Sequence, residues 1–311
     1  GSIWVAVAGT ITVSPGSIVT TAYSYDGINW TAASGTTLGT ASNSSAGYGV
    51  AWGKDKFVAV GSNAATSTQT IIYSYDGINW TSASGTTFNG IGGVGRAVAY
   101  NGTRWVAVGR NATTTPTVTA VYSTDGITWT ATTTNMYNIT ANFTASTTIS
   151  TTTLTLTSSG TLVLGQVLSS ITVNAGTTLN TFNTGTFGAS SSTYTLSLPA
   201  TATNTVAFTA GTNGIGYDVA WNGSRWVSVG TCYSSPSSFA SANTINYSTD
   251  GITWTAVAPA PTVNIGISFN GAGGIGYCVA WNGNRFVAGG TNAATPTQTL
   301  LYSGVGINLS S

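Results

Sequence analysis

The string "YSYDGINWT" stands twice in this chain, at 23–31 and at 73–81, and a close variant, "YSTDGITWT", stands at 122–130 and 247–255. Repetition at a long period constrains a fold strongly, because each unit has to bury its apolar surface against its neighbours. Asp26, Asp76 and Asp125 are about fifty residues apart, and Asp250 follows after one period plus roughly seventy-five extra residues. A decayed copy, "YSGVGINLS" at 302–310, has Val305 in place of the Asp and Leu309 in place of the Trp.

Each repeat also carries a strand–turn–strand pattern. It reads "GRAVAYNGTRWVAVG" at 95–109, "GYDVAWNGSRWVSVG" at 216–230 and "GYCVAWNGNRFVAGG" at 276–290. Asn-Gly predicts a tight hairpin with positive φ at both turn positions. In "GYGVAWGKDKFVAVG" at 47–61 the predicted turn shifts to Gly53-Lys54. Period-2 alternation sets Trp226, Ser228 and Gly230 on one face and Val227 and Val229 on the other. A third and a fourth strand flank the Asp motif. A lone four-stranded meander cannot cover both of its faces, and radial packing of such meanders as blades solves this. The expected fold is all-β: a five-bladed β-propeller of four-stranded antiparallel blades with a small inserted β domain. The blades fall at about 1–34, 47–86, 93–134, 213–258 and 270–311. "GSIWVAVA" at 1–8 aligns with "GSRWVSVG" at 223–230, so the first copy lacks its innermost strand. Whether the chain is a fragment of something longer is left open by this, and the blade number with it.

The motif Ser74-Tyr75-Asp76-Gly77-Ile78-Asn79-Trp80 resembles the Asp-box of sialidase-like β-propellers, Ser-x-Asp-x-Gly-x-Thr-Trp, with one residue fewer before the Trp. The resemblance spans four clean copies and implies a structural turn between the third and fourth strands. The physics agrees: a turn Asp accepts backbone N–H groups one to three residues on, while Gly supplies positive φ. Asp26, Asp76, Asp125 and Asp250 are thus expected to be structural turn residues, with each Trp packed between blades.

The sialidase-like resemblance also implies an arginine triad, a Tyr nucleophile aided by Glu, and an Asp acid/base. This chain has no Glu and no His. Arg104, Arg225 and Arg285 share one repeated position and read as architecture. A Ser or Cys nucleophile lacks a His base, and Asp55 and Asp218 fall in different blades. The expectation is no catalysis, no metal and no cofactor. Only 4% of residues are charged and the net charge is +1, against about 25% charged in an average soluble protein. That argues against nucleic acid as a partner. No apolar run approaches the roughly 20 residues that span a bilayer, so membrane insertion is not expected. A surface made of Thr, Ser, Gly and Asn fits an extracellular or particle-bound protein.

Strand direction puts the long loops at 62–70, 110–118, 231–243 and 291–299 on one face, where binding usually lives. Tyr48, Arg96, Tyr217 and Tyr277 begin the first strands on that face, with Asp218 and Arg110 nearby. These six residues are the candidate ligand site: flat rings for stacking and polar groups for hydroxyls, which suits a host glycan. The bland reading is that they plug a central channel; a pairing of Arg96 with Asp218 across it, which would remove both as binding groups, is left open. Cys232 ends one second strand and Cys278 begins the next first strand, which leaves a disulfide between them open.

Residues 135–212 break the repeat and read as a separate small β domain between the segments 1–134 and 213–311. Leu154 and Leu156, and Thr193 to Leu196, alternate as strands do. The pattern "VLGQVLSS…STYTLS" within 163–197 resembles small β modules of phage tail-fibre and other viral surface proteins. That resemblance implies a virion-associated structural or adhesive protein. The expected role is a non-enzymatic attachment module on a virion or extracellular surface, partnered by other surface proteins or by further copies of itself. The alternative is a lectin-like propeller.

Overall fold

The computed structural model describes all residues except 1–2, 14–16, 37, 39–45, 63–68, 90–91, 112–117, 135, 138–139, 159–166, 175–176, 178, 187–188, 212, 234–243, 258–268, 270–273, 292–299 and 304–311. The described residues form strands and turns and no helix. The first sheet holds β1 (Trp4–Val13), β2 (Ser17–Ser24) and β3 (Thr31–Ala32), followed by the short β4 (Ser34–Gly35). The second is a meander of β5 (Ala46–Gly53), β6 (Lys56–Ser62), β7 (Ile71–Ser74) and β8 (Asn79–Ser82), followed by the short β9 (Ser84–Gly85). The third is β10 (Val94–Tyr100), β11 (Trp105–Arg110), β12 (Ala120–Ser123) and β13 (Thr128–Ala131).

An inserted six-stranded sheet comes next: β14 (Thr140–Thr147), β15 (Thr153–Leu156), β16 (Val167–Ser169), β17 (Leu179–Thr184), β18 (Thr193–Leu196) and β19 (Asn204–Gly211). The fourth repeat sheet is β20 (Asn213–Trp221), β21 (Trp226–Tyr233), β22 (Ile245–Ser248) and β23 (Thr255–Ala256). The fifth is β24 (Ile275–Trp281), β25 (Phe286–Thr291) and β26 (Leu300–Tyr302). The decayed Asp motif continues into 304–310, outside the described residues.

Within each repeat sheet the neighbours are antiparallel, as the meander reading requires. Each first hairpin is closed by an aromatic pair: Trp52–Phe57 at 4.6 Å, Tyr100–Trp105 at 4.7 Å, Trp221–Trp226 at 5.0 Å and Trp281–Phe286 at 4.9 Å. Such cross-strand pairs stabilise a hairpin beyond their buried area. Among the described residues β1 is an edge strand, and its equivalents in the other sheets are second strands.

The hairpin turns differ from expectation. Tyr100 pairs with Trp105, which makes the loop four residues long, Asn101 to Arg104. Only Gly102 has positive φ; the Asn101 side chain instead accepts the N–H groups of Thr103 and Arg104. Asn222 and Asn282 do the same. Asn is there as a side-chain acceptor, an Asx turn. In the second sheet Gly53 pairs with Lys56, so the turn is Lys54-Asp55 and not Gly53-Lys54, with Lys54 at φ 58°.

Successive repeat sheets pack face to face. β1 lies beside β5, β5 beside β10, β10 beside β20, and β20 beside β24. Val58, Val60 and Ile71 of the second sheet meet Val98, Trp105, Val121 and Trp129 of the third. The other junctions repeat this scheme.

A connection that the sequence reading missed fastens the sheets. After its fourth strand each of the first two repeats sends a short tail across the junction. β4 pairs in parallel with β8, and β9 with β13. Thr133 continues the pattern, its N–H donating to the Ile252 carbonyl at 3.2 Å. The tail covers the outer edge strand of the next sheet, which would otherwise be open to further pairing. It then drops a large side chain into the junction: Leu38, Phe88, Tyr137 and Phe269 are each fully buried or nearly so. The N–H of Phe88 donates to Thr70 Oγ1 at 3.0 Å, and that of Phe269 to Thr244 Oγ1 at 2.9 Å.

The inserted sheet has its own core of Leu154, Leu156, Leu168, Leu179, Tyr194 and Leu196. Its first and last strands, β14 and β19, pair in register from Thr140 opposite Gly211 to Thr147 opposite Asn204, so the insert enters and leaves at neighbouring points. Its sheet spans 140–211 within the 135–212 expected, and Met136 and Tyr137 belong to the core between the third and fourth repeat sheets.

Candidate functional site

In every complete first hairpin the register slips at one place: between Gly47 and Gly49, Gly95 and Ala97, Gly216 and Asp218, and Gly276 and Cys278. The residue skipped is Tyr48, Arg96, Tyr217 or Tyr277. A β-bulge takes one residue out of the ladder and re-aims its side chain. Facing each bulge is a glycine, Gly61, Gly109, Gly230 or Gly290, where a Cβ would lie 2.0–2.2 Å from a first-strand carbonyl oxygen. The four redirected side chains form a ladder across the sheets. The Arg96 guanidinium lies 4.2 Å from the Tyr48 ring centroid and 5.5 Å from that of Tyr217. The Tyr217 and Tyr277 rings meet edge to face at 5.6 Å. Tyr48 and Tyr277, the two ends, are 44% and 48% exposed, so the ladder presents open aromatic surface at both ends.

Among the described residues Arg96 has no ion-pair partner, and its Nε is buried without a hydrogen bond. The pairing of Arg96 with Asp218 that the sequence left open is not among the ion pairs of the described residues. Asp218 turns back into the sheets instead, accepting the N–H of Val219 at 2.8 Å and that of Val279, in the next sheet, at 2.9 Å. Burial is the largest influence on its carboxyl and holds its pKa above the usual value, against the two N–H donors. Arg110 stands apart from the ladder and donates from Nε and Nη2 to the Gly92 carbonyl at 3.3 and 3.2 Å. Cys278 is an exposed free thiol near the Gly289 carbonyl; the disulfide considered for it involves Cys232, whose side chain is outside the described residues. Most of the four long loops also lie outside the described residues.

The four Asp turns are built alike. Asp76 Oδ1 accepts the N–H of Ile78 at 2.8 Å and of Asn79 at 2.7 Å, and Ser74 Oγ donates to it at 2.9 Å. Asp26, Asp125 and Asp250 repeat the arrangement. The following glycines, Gly27, Gly77, Gly126 and Gly251, have φ of 74–76°. Three of these turns also rest on the preceding sheet: a Cβ at Gly77 would meet Val5, at Gly126 Val58, and at Gly251 Val106. Arg104 reaches forward to the Asp250 carbonyl and lies 5.5 Å from the Tyr122 ring. Arg225 over Tyr247 and Arg285 over Tyr302 repeat that stacking, so these arginines are part of the framework. Among the described residues no three His, Cys, Asp or Glu side chains are grouped to hold a metal.

These bonds fix the acid response. At Asp26 the N–H of Asn29 is the largest influence and holds the carboxyl far below its ordinary value. At Asp76 burial is the largest and pushes the other way, yet the donors from Asn79, Ile78 and Ser74 outweigh it. A carboxylate with a depressed folded-state pKa adds stability that is complete above the unfolded value of about 3.9 and is lost as pH falls towards the folded one. Acid titration followed by circular dichroism should therefore show stability declining below about pH 4. Asp76→Asn should flatten that decline while lowering stability at neutral pH; an unchanged acid profile would contradict the assignment.

No protein-family model matches the chain, and no curated protein matches its sequence. Among solved structures the chain is similar to the phage phi92 endosialidase, at 11% identity and a TM-score of 0.33. The match covers 83% of this chain and 46% of that one, so the chain spans about half the length of the protein it matches. Likeness at that level says nothing about the activity of this chain.

Proposed function

We propose that the chain is a non-enzymatic β-propeller platform for attachment on a virion or extracellular surface. The fate of the repeated carboxylates carries the non-enzymatic part: all four are taken up by backbone and side-chain donors within their own turns. Radial packing is supported by consecutive first strands lying side by side and by their bulges delivering side chains to one ladder. The tails and buried plugs make the sheets one stiff body, which suits a platform. Hydrolysis assays over a glycoside panel should show no turnover with wild type. Turnover that disappears in Asp218→Asn would sink the reading.

A second reading, glycan binding, is favoured by the ladder itself. Stacked rings offer flat apolar faces to sugar rings, and Arg96 lies between two of them, with its remaining N–H groups suited to hydroxyl oxygens. Glycan-array binding should fall at least tenfold in Arg96→Ala, a loss of about 1.4 kcal/mol or more. Arg110→Ala, away from the ladder, should bind as wild type does. Equal binding by Arg96→Ala would remove the ladder as the site.

A further inference from the structure

Where the repeats depart from one another, four polar departures gather at one place. Asp218 stands where the other complete first strands have Gly49, Ala97 and Cys278. Ser228 stands where the second strands have Ala59, Ala107 and Ala288, and Asn246 where the third strands have Ile72, Val121 and Leu301. Tyr137 is a plug where the others are Leu38, Phe88 and Phe269. The Tyr137 hydroxyl is 2.6 Å from Ser228 Oγ, and Ser228 Oγ donates to the Asp218 carbonyl at 2.9 Å. Asn246 is the cross-strand partner of Ser228, and both are buried. The Asp218 backbone is thus held from behind by a network that the other repeats lack.

In front, the Asp218 carboxylate joins two sheets. Oδ1 accepts the N–H of Val219 in β20, and Oδ2 that of Val279 in β24. Each valine is two residues beyond a bulged tyrosine, Tyr217 or Tyr277. One carboxylate therefore clasps the two first strands next to the rings that meet at 5.6 Å. Gly49 and Ala97 offer no such acceptor. We propose that Asp218 is a positioning residue for the ladder, setting Tyr277 against Tyr217 and so shaping that end of the surface, on the reading that glycans bind there. A polar group buried against the pattern of its own repeat is the kind of local departure expected where function needs it.

The clasp is sensitive to acid. Protonation turns one carboxylate oxygen from an acceptor into a donor, so one valine N–H loses its partner. Burial outweighs the two N–H donors and holds the Asp218 pKa above its ordinary value, so the clasp opens at a higher pH than the Asp turns titrate. The sign for stability is also the reverse of theirs: ionising Asp218 lowers stability as pH rises through this range, so opening of the clasp is distinct from acid unfolding. The charged and titratable groups around it are Arg96 of β10, Tyr217 of β20, Tyr277 and Cys278 of β24, and Tyr137. None is an acid. The other five acids of the chain lie in turns: Asp55 in a first hairpin and four in the Asp turns.

A nuclear magnetic resonance pH titration of the whole chain tests this. The amide shifts of Val219 and Val279 and the ring shifts of Tyr277 should move together, with one midpoint above about 4. Asp218→Asn keeps the shape, removes the charge and should abolish that step. Binding to an array of neutral glycans, whose own charge does not change, should fall at least tenfold through the same midpoint. In Asp218→Asn it should stay at the weak level at every pH. Separate midpoints for the two valines, or a Tyr277 ring that does not follow them, would overturn the proposal. If no neutral glycan is retained at any pH, the glycan reading fails, and the resonance titration alone decides whether Asp218 positions the ladder.

Discussion

Phe88→Ala should lower the unfolding free energy by about 3–5 kcal/mol, among the largest losses available from one side chain in this chain. Phe88 is fully buried at the junction of the second and third sheets, amid Val60, Ile71, Val98 and Trp129. The tail has little room to relax into the hole, because it is pinned upstream of the plug and at the plug itself. Upstream, β9 is paired to β13; at the plug itself, the Phe88 N–H is held by Thr70. Gly85→Ala should act through the same tail. Gly85 has φ +82°, and a Cβ there would sit 2.3 Å from the Trp129 carbonyl oxygen. The left-handed conformation alone costs an L-residue about 1–2 kcal/mol, and the clash would unseat β9 as well. The exposed neighbour Ser84 supplies the control, since Ser84→Ala should stay within about 0.5 kcal/mol of wild type. Urea unfolding measures all three. A loss under about 1 kcal/mol in Phe88→Ala would mean that the tails do not fasten the sheets.

Two excisions of the insert should give opposite results. Removing 140–211 and joining the ends with a short linker should leave the repeat sheets folded. Thr140 and Gly211 are paired across one ladder, so little backbone has to move. The insert's core of Leu154, Tyr194 and Leu196 is separate from the repeat cores and leaves with it. Removing 135–212 also takes Met136 and Tyr137. Tyr137 is 1% exposed, and its hydroxyl bonds Ser228 Oγ at 2.6 Å in the fourth sheet. Burial drives the pKa of that hydroxyl well above its ordinary value, so it stays a neutral partner at any working pH. The wider excision should therefore cost a further 3–5 kcal/mol or so, like other large aromatic truncations. Equal melting temperatures for the two products would show that Tyr137 is no plug.

How far the sequence foretold this depends on whether a feature is local. The Asp turns were legible because acceptor, glycine and donors fall within five residues. That β1 matches the second strands was legible because "GSIWVAVA" aligns with "GSRWVSVG". The turns at Asn101 and Asn222 were misjudged because Asn-Gly serves both a two-residue hairpin and an Asx loop; the choice depends on which residues pair, here Tyr100 with Trp105. The bulges left a trace, a glycine facing each of them, but a glycine alone does not say which residue leaves the ladder. The tails were missed because "ASGTT" has no apolar period; its pairing partner lies about 45 residues on. Arg96 and Asp218 looked like natural partners by charge, yet rings and backbone N–H groups took both.

The central claim is that the fifty-residue units are wedges around one axis, each held by the tail of the one before. Electron cryo-microscopy of the protein at side-chain resolution tests it most directly. The account predicts first strands side by side around a common centre, with Tyr48, Arg96, Tyr217 and Tyr277 meeting there. Sheets stacked in a straight row, with those four residues spread along its length, would contradict it.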